Sequence, residues 1–470
     1  MNTLRMTTLA LAVALTTGCS TLIPDYLRPA APVPAVFPDA TPAAAADVPA
    51  ADAVPWRDYF ADARLRELID LALANNRDLR VAALNIERAR AQYDIQRSDL
   101  VPSLEASGGL TAQRTRAQLA GGGEGDARTT RQYSASVGFS AYELDFFGRI
   151  RSLNEQALEL YLGTEEARRS AQISLVAEVA DAWLRLAADR ERFALARSTF
   201  DTRKKSLDLT QRSFDAGAVS ALDLRQAQTL LEGARADAAR YTAVVAQDQN
   251  ALALVVGAPV PAALLPGTLV DSVSTVAELP AGVPSEVLTR RPDILQAERE
   301  LRAANASIGA ARAAFFPRVT LSTSVGTASN TLDGLFDAGS GTWSFIPQIR
   351  LPIFEGRQLT GNLEVAKVQR EIAVAQYEKS IQTAFREVAD ALAERATLAE
   401  QLDARRRLVD ATAEGFRLSE ARYKGGVDSY LGLLDAQRTL YGAELDLIGA
   451  RQSEAANRVA LYKALGGGWQ

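Results

Sequence analysis

The sequence predicts a mainly α-helical chain that also carries a membrane β-barrel segment: tandem-duplicated long α-hairpins and four β-strands. Three observations predict it. A motif recurs at constant spacing, two very long runs have helical composition, and four short stretches alternate with period two. In the repeat, Phe214-Asp215-Ala216-Gly217 continues into Ser220, Leu222, Leu224, Ala227-Gln228 and Leu231. Tyr423-Lys424-Gly425-Gly426 continues into Ser429, Leu431, Leu433, Ala436-Gln437 and Leu440, every pair 209 positions apart. The offset still holds at Leu252/Leu461 and Gly257/Gly466. A register kept that far without a gap marks an internal duplication.

Taken in order, the chain opens with one positive charge (Arg5), a short apolar run from Leu9 to Leu15, and Gly18-Cys19-Ser20. Residues 1–18 read as a secretory signal, too short to span a membrane as a helix. Ending in Gly-Cys, the signal resembles a bacterial lipoprotein signal, with Cys19 as the lipidated first residue of the mature chain. Thr16 departs from the usual Leu, and an ordinary signal with an incidental Cys is the other reading. Ser20 after the Cys resembles signals sent to the outer membrane. Residues 19–55 form a Pro- and Ala-rich tether.

Residues 58–100 carry Leu65, Leu68, Ile69, Leu79, Leu84 and Ile95 among Arg and Glu, and are expected to be helical. The stretches 147–215 and 357–424 contain no proline, and at 1.5 Å per residue each is roughly 100 Å of helix. Helices this long pack as coiled coils. Each ends at a glycine element, Gly217 or Gly425-Gly426, and reverses into a second helix, near 220–256 or 429–465. Extra structure is expected beside 186–200 and 392–412, since the returning helices stop half-way.

Between the helices, 104–112, 132–142, 319–326 and 343–353 alternate apolar with small polar residues, a strand signal. Gly-rich loops at 117–130 and 328–341 join them pairwise. Repeat 1 therefore spans 56–265, with a β-hairpin near 101–146 and a helical tip near 212–228. A linker covers 266–284. Repeat 2 spans 285–470, with a β-hairpin near 315–354 and a tip near 422–437.

Composition narrows the function classes. Net charge is −5 at pH 7, and there is no histidine and a single cysteine. The commonest general base and the commonest neutral metal ligand are missing, and no nucleic-acid binding is expected. No catalytic residue, metal site or cofactor is expected, apart from covalent diacylglycerol and N-acyl chains on Cys19. Four strands cannot close a barrel, and open edges cannot face lipid. The strands belong either to a soluble subdomain packed on the helices or to a barrel pooled from several chains. Three chains giving a 12-stranded barrel shared by a trimer is the simplest pooled solution, and a Ser/Thr/Gln/Gly inner face implies a water-filled lumen.

Further stretches carry a resemblance: Trp56-Arg57-Asp58-Tyr59-Phe60, Tyr142-Glu143-Leu144-Asp145-Phe146-Phe147-Gly148-Arg149, Arg290-Arg291-Pro292-Asp293-Ile294, Pro352-Ile353-Phe354-Glu355-Gly356-Arg357 and the tail from Arg422 to Trp469. Over residues 56–469 the chain resembles the TolC-like outer-membrane efflux factors, in their lipoprotein (OprM/NodT-like) branch. A single Gly356 stands where many relatives have two glycines. The resemblance implies a homotrimer in the outer membrane of a Gram-negative bacterium, with a periplasmic helical tunnel. It implies a periplasmic membrane fusion protein (adaptor), an inner-membrane efflux pump of RND type, and amphiphilic toxic solutes as cargo.

It also implies roles for particular residues. Gly217, Ser220, Gly426 and Ser429 stand at the adaptor-docking tips, where turn and cap chemistry is the plainer account. Tyr423, Leu431 and Asp435 match the family's pore constriction. Asp435 would make a ring of three carboxylates in a trimer, or would simply pair with Arg438. Arg149 and Arg357 read as boundary anchors, with Trp343, Tyr133 and Phe146, or as ordinary helix-start arginines. The alternatives in function are a duct for protein secretion and a periplasmic coiled-coil adaptor lipoprotein.

Overall fold

The computed structural model describes residues 21–38, 54–115, 127–269 and 285–469. Cys19, the signal segment 1–18 and most of the linker lie outside the described residues. The elements in chain order are α1 (Trp56–Tyr59), α2 (Ala63–Asn75), α3 (Arg77–Ser98), β1 (Glu105–Thr115), β2 (Arg128–Leu144), α4 (Arg149–Asp215), α5 (Ala221–Val256), α6 (Pro292–Ala313), β3 (Arg318–Ser329), β4 (Gly341–Arg350), α7 (Gln358–Lys424) and α8 (Tyr430–Ala464). The two long helices, α4 and α7, hold 67 residues each. None of the described helices is long and apolar enough to cross a membrane.

The expected continuous helix over 58–100 is instead three pieces. Asn76 interrupts it with extended backbone, ψ 133°. Its side-chain oxygen accepts from the Leu79 amide at 2.8 Å, capping α3, while its amide donates to Val255 O at 2.7 Å. A side chain that competes for backbone groups ends one helix and starts the next. In the second repeat, α6 begins at Pro292, after a 3-10 turn over Ser285–Arg290.

The four strands form one antiparallel sheet in the order β1-β2-β3-β4. The two hairpins are joined by pairing of β2 with β3, which leaves β1 and β4 as free edges. Ala106, Val137, Val325 and Trp343 stand in one row across the sheet, and Ser107, Ser136, Gly326 and Thr342 in the next. Because neighbouring rows face opposite ways, one face is apolar and the other is small and polar. On the polar face Ser107 Oγ meets Ser136 Oγ at 3.0 Å and Ser324 Oγ meets Ser344 Oγ at 2.7 Å. On the apolar face Trp343 is 80% exposed and Val325 65%. An apolar sheet face bared this far marks a surface built for lipid or a partner.

The alternation expected through Ala141 breaks there. A bulge between Phe139 and Tyr142 shifts the register, and Ala141 adopts φ 54°. After it, Tyr142 and Leu144 take the apolar rows opposite Leu321 and Val319. The extra residue is what a bulge inserts. Pro347 sits within β4, opposite Leu321.

The chain divides into two compact units. The first comprises 1–29, 86–164 and 297–377, and contains the sheet. Here part of the expected tether is a strap. Tyr26 and Arg28 both bond Glu298, at 3.3 and 2.7 Å, Asn305 donates to Pro24 O, and Arg312 to Leu22 O. Glu298 is 5% exposed, and Arg28 of the strap and Arg302 of α6 together supply the positive charge that a buried carboxylate requires. At the end of β2, Glu143 receives both Arg149 and Arg318. Arg357, at the matching place in the second repeat, is exposed.

The second unit comprises 30–85, 165–296 and 378–470. Its core is aromatic and aliphatic. The ring of Tyr59 stacks on Tyr462 with centroids 3.9 Å apart, and Trp183 donates to Leu264 O at 3.0 Å. Leu65, Leu68 and Ile69 of α2 are fully buried, as are Leu186 and Ala187 of α4. Each large aliphatic side chain among them contributes about 2 kcal/mol by leaving water. Arg291 is 8% exposed and binds Asp293, Glu387 and the Ala464 carbonyl. The motif 290–294 is therefore a structural clamp on the end of α8.

Candidate functional site

Both helical tips lie in the second unit, where α4 turns into α5 and α7 turns into α8. The turns are built alike. Gly217 and Gly426 adopt φ 73° and 72°. Ala218 N donates to Ser213 O at 2.8 Å, and Val427 N to Arg422 O at 2.9 Å. Glycine closes a helix this way because left-handed backbone costs it nothing.

The tips differ in what holds the next helix. Ser220 and Asp223 form a reciprocal capping box at the start of α5. Ser429 stands at the same place before α8 but makes no side-chain cap bond. Position for position, Asp223 is replaced there by Gly432, which has no carboxylate to return the bond. The second tip carries instead a two-bond fork across the turn, Arg422 to Asp428 at 2.6 and 2.8 Å. That fork holds the Asp428 carboxyl below its ordinary range. Its counterparts in the first tip are Ser213 and Val219, so it occurs once per chain.

The two tips are packed together by a small cluster of Ala227, Tyr430 and Leu434, flanked by Leu207, Leu230, Tyr423 and Leu433. The rings of Tyr423 and Tyr430 lie 5.2 Å apart. Burial raises the Tyr423 hydroxyl, and the Asp223 carboxylate raises it further. The sequence-chosen constriction residues are thus not equivalent. Leu431 is 58% exposed and Asp435 is exposed one turn further along α8, whereas Tyr423 is half-buried against the other tip. Asp435 pairs with Arg438 at 2.5 Å, so the ion pair expected as its alternative role is present. Both partners are mostly exposed, and such a pair contributes little to stability.

Sequence reasoning missed Asp223, Arg422, Asp428 and Tyr430. The signal that could have found them is the set of positions where the two repeats disagree in chemistry. Among the described residues no group of His, Cys, Asp or Glu could hold a metal ion.

The family model for outer membrane efflux proteins matches residues 68–258 and 283–467. The antibiotic efflux pump outer membrane protein ArpC of Pseudomonas putida is 52% identical over 464 residues, 98% of this chain and 95% of that protein. A toluene efflux pump outer membrane protein, TtgC, also of Pseudomonas putida, matches at the same identity and coverage. The solved open state of the MtrE outer membrane channel of Neisseria gonorrhoeae superposes with a TM-score of 0.85 at 40% identity, covering 96% of this chain and 99% of that one.

Proposed function

The chain belongs to the outer membrane efflux protein family, and we propose that three copies close a twelve-stranded barrel whose exit duct is opened when the helical tips engage a periplasmic adaptor and an RND-type inner-membrane pump. The protein is an outer-membrane efflux channel component. The observation that carries the trimeric reading is the sheet with two free edges, β1 and β4. Their unpaired backbone groups cannot face lipid. Pairing β4 of one copy with β1 of the next closes the ring, puts the row with Trp343 against lipid and turns the serine rows to the lumen.

Leu431 and Asp435 form the constriction, with Asp435 contributing one carboxylate per copy, and Tyr423 backs it from the inter-tip cluster. Rings of carboxylates favour cations at close quarters. Gly217, Ser220, Gly426 and Ser429 shape the docking tips. Cys19 carries the lipid anchor. The cargo class is amphiphilic toxic small molecules, such as antibiotics and aromatic solvents. Two of the most similar relatives are named for such cargo, and this favours small-molecule efflux over protein secretion.

Electron microscopy of the detergent-purified protein tests the assembly. Three-fold particles with a hollow barrel are expected, and a monomer would overturn it. Mass spectrometry of the mature N-terminus tests Cys19.

A further inference from the structure

A cleft of about 160 Å³ lies in the second unit where α4, α7 and α8 meet. Its walls are largely carbon: Leu195 of α4, the Phe416 ring of α7, and Leu440 and the Tyr441 ring of α8. Glu444 brings the one charge to this lining. It is half-buried, and burial raises its carboxyl with no cation or donor to offset the effect. Glu444 makes no hydrogen bond or ion pair with any described residue. The nearest candidate counter-ion is spoken for. The Arg203 guanidinium lies over the Tyr441 ring, 5.6 Å from its centroid, and the charges acting on it are those of Asp237 and Arg438, not Glu444. A carboxylate drawn out of water without a counter-charge is costly. The duplication does not require this chemistry. The repeat counterparts of Glu444, Tyr441 and Phe416 are Arg235, Glu232 and Leu207, so the other half of the chain carries a cation where the cleft has its carboxylate.

We propose that this cleft binds a small alkylammonium ion, with its nitrogen on the Glu444 carboxylate and its carbon chain against Leu195, Leu440 and the Phe416 ring. The volume is that of about five waters, enough for a short-chain amine. The lining selects this class on three grounds. An ammonium gives the carboxylate a charge-assisted hydrogen bond. Aromatic rings attract such cations, and a hydrocarbon tail leaves water against the leucines. A bare metal ion is disfavoured, because hard cations take six or more oxygen ligands and a single carboxylate stands here. The Thr199 hydroxyl, also in the lining, can accept from a second N–H. All of these residues belong to one chain and one unit, so the site stands apart from the trimer. Only the choice of a free amine over a protein lysine rests on the channel reading, whose amphiphilic cargo class includes such cations.

The test uses the full-length protein in detergent with three probes: butylammonium, 1-butanol and Nα-acetyl-lysine amide. Saturation-transfer NMR titrations read the binding. Butylammonium is expected to saturate, and 1-butanol, which has the chain without the charge, is not. Loss of a hydrogen bond to a charged group weakens binding by about tenfold. Glu444→Gln should therefore raise the butylammonium dissociation constant by about that factor. Ser198→Phe, at an exposed position in the lining, fills the cleft and should abolish the signal. Equal binding of butylammonium and 1-butanol, or a signal unchanged in both variants, assigns the amine to the micelle and overturns the site. Binding of the lysine amide without butylammonium overturns the choice of a free amine and gives the cleft to a protein lysine. Neither failure touches the channel reading, which particle symmetry in the same sample checks separately.

Discussion

Gly217 and Gly426 hold the same left-handed backbone, φ 73° and 72°, at turns 209 residues apart. Nothing lies within 4 Å of a Cβ built on either. Replacement by alanine thus introduces backbone strain without a clash, costing about 1–2 kcal/mol. Gly217→Ala and Gly426→Ala are expected to lose amide protection at their own tips to a similar extent, with the sheet unaffected. Hydrogen exchange read by mass spectrometry checks this. Protection lost at one tip alone would contradict the equivalence of the turns.

The caps are not equivalent. Ser220→Ala removes half of a capping box, and the first turn of α5 should lose about 1 kcal/mol. Ser429→Ala removes no bond and should change α8 by a few tenths at most. Asp428→Asn weakens the fork that Ser429 does not replace, and should raise exchange across 423–430. Equal effects of the two serine variants would show that α8 is capped in solution after all.

The Asp435 prediction concerns permeation. Asp435→Ala frees Arg438 from its ion pair and removes three carboxylates from the trimer, so both changes push against cations. The reversal potential under a salt gradient should move toward anion preference. Arg438→Ala, which leaves the carboxylates in place, should move it the other way. An unchanged reversal potential in both variants would place the ring outside the pore.

Asp181 gives a pH signature. Burial pushes its carboxyl up to about 6, against weaker pulls from Lys463 and Arg185, and its Oδ1 is buried with no partner. The folded protein holds this proton more tightly than the unfolded chain does. Stability from this group is fully present below the ordinary carboxylate range and is lost as pH rises through 6. Asp181→Asn removes the ionisation cost. It should stabilise the protein by about 2 kcal/mol at pH 7.5 and leave it unchanged near pH 3.5. Thermal unfolding at the two pH values decides the matter, and a gain independent of pH would assign the effect to packing.

Much of the architecture was legible because its signals are local. The αL glycines, the absence of proline over 149–215 and the period-two rows each reflect backbone physics within a few residues. The strap at 21–29 was not legible. Tyr26 and Arg28 matter only because they reach Glu298, more than 260 positions away. The bulge at Ala141 was hidden for the same reason, since its register is set by β3. Of the site, the turn residues were read from the repeat, whereas Leu431 and Asp435 were assigned to the constriction by resemblance, as was Tyr423. Its burial against the first tip depends on Leu207, Ala227 and Leu230, which no spacing rule connects to it.

The sequence by itself determined the duplication, the long helices, the four strands and the absence of histidine chemistry, because periodicity and backbone preference act residue by residue. Tertiary structure decided the order β1-β2-β3-β4, the Arg291 clamp, the fork between Arg422 and Asp428, and the seat of Arg203 over Tyr441. Those are pairings between residues that the chain must fold to bring together. Their energies come from which charges and apolar faces leave water together, and that is settled only when the chain has packed.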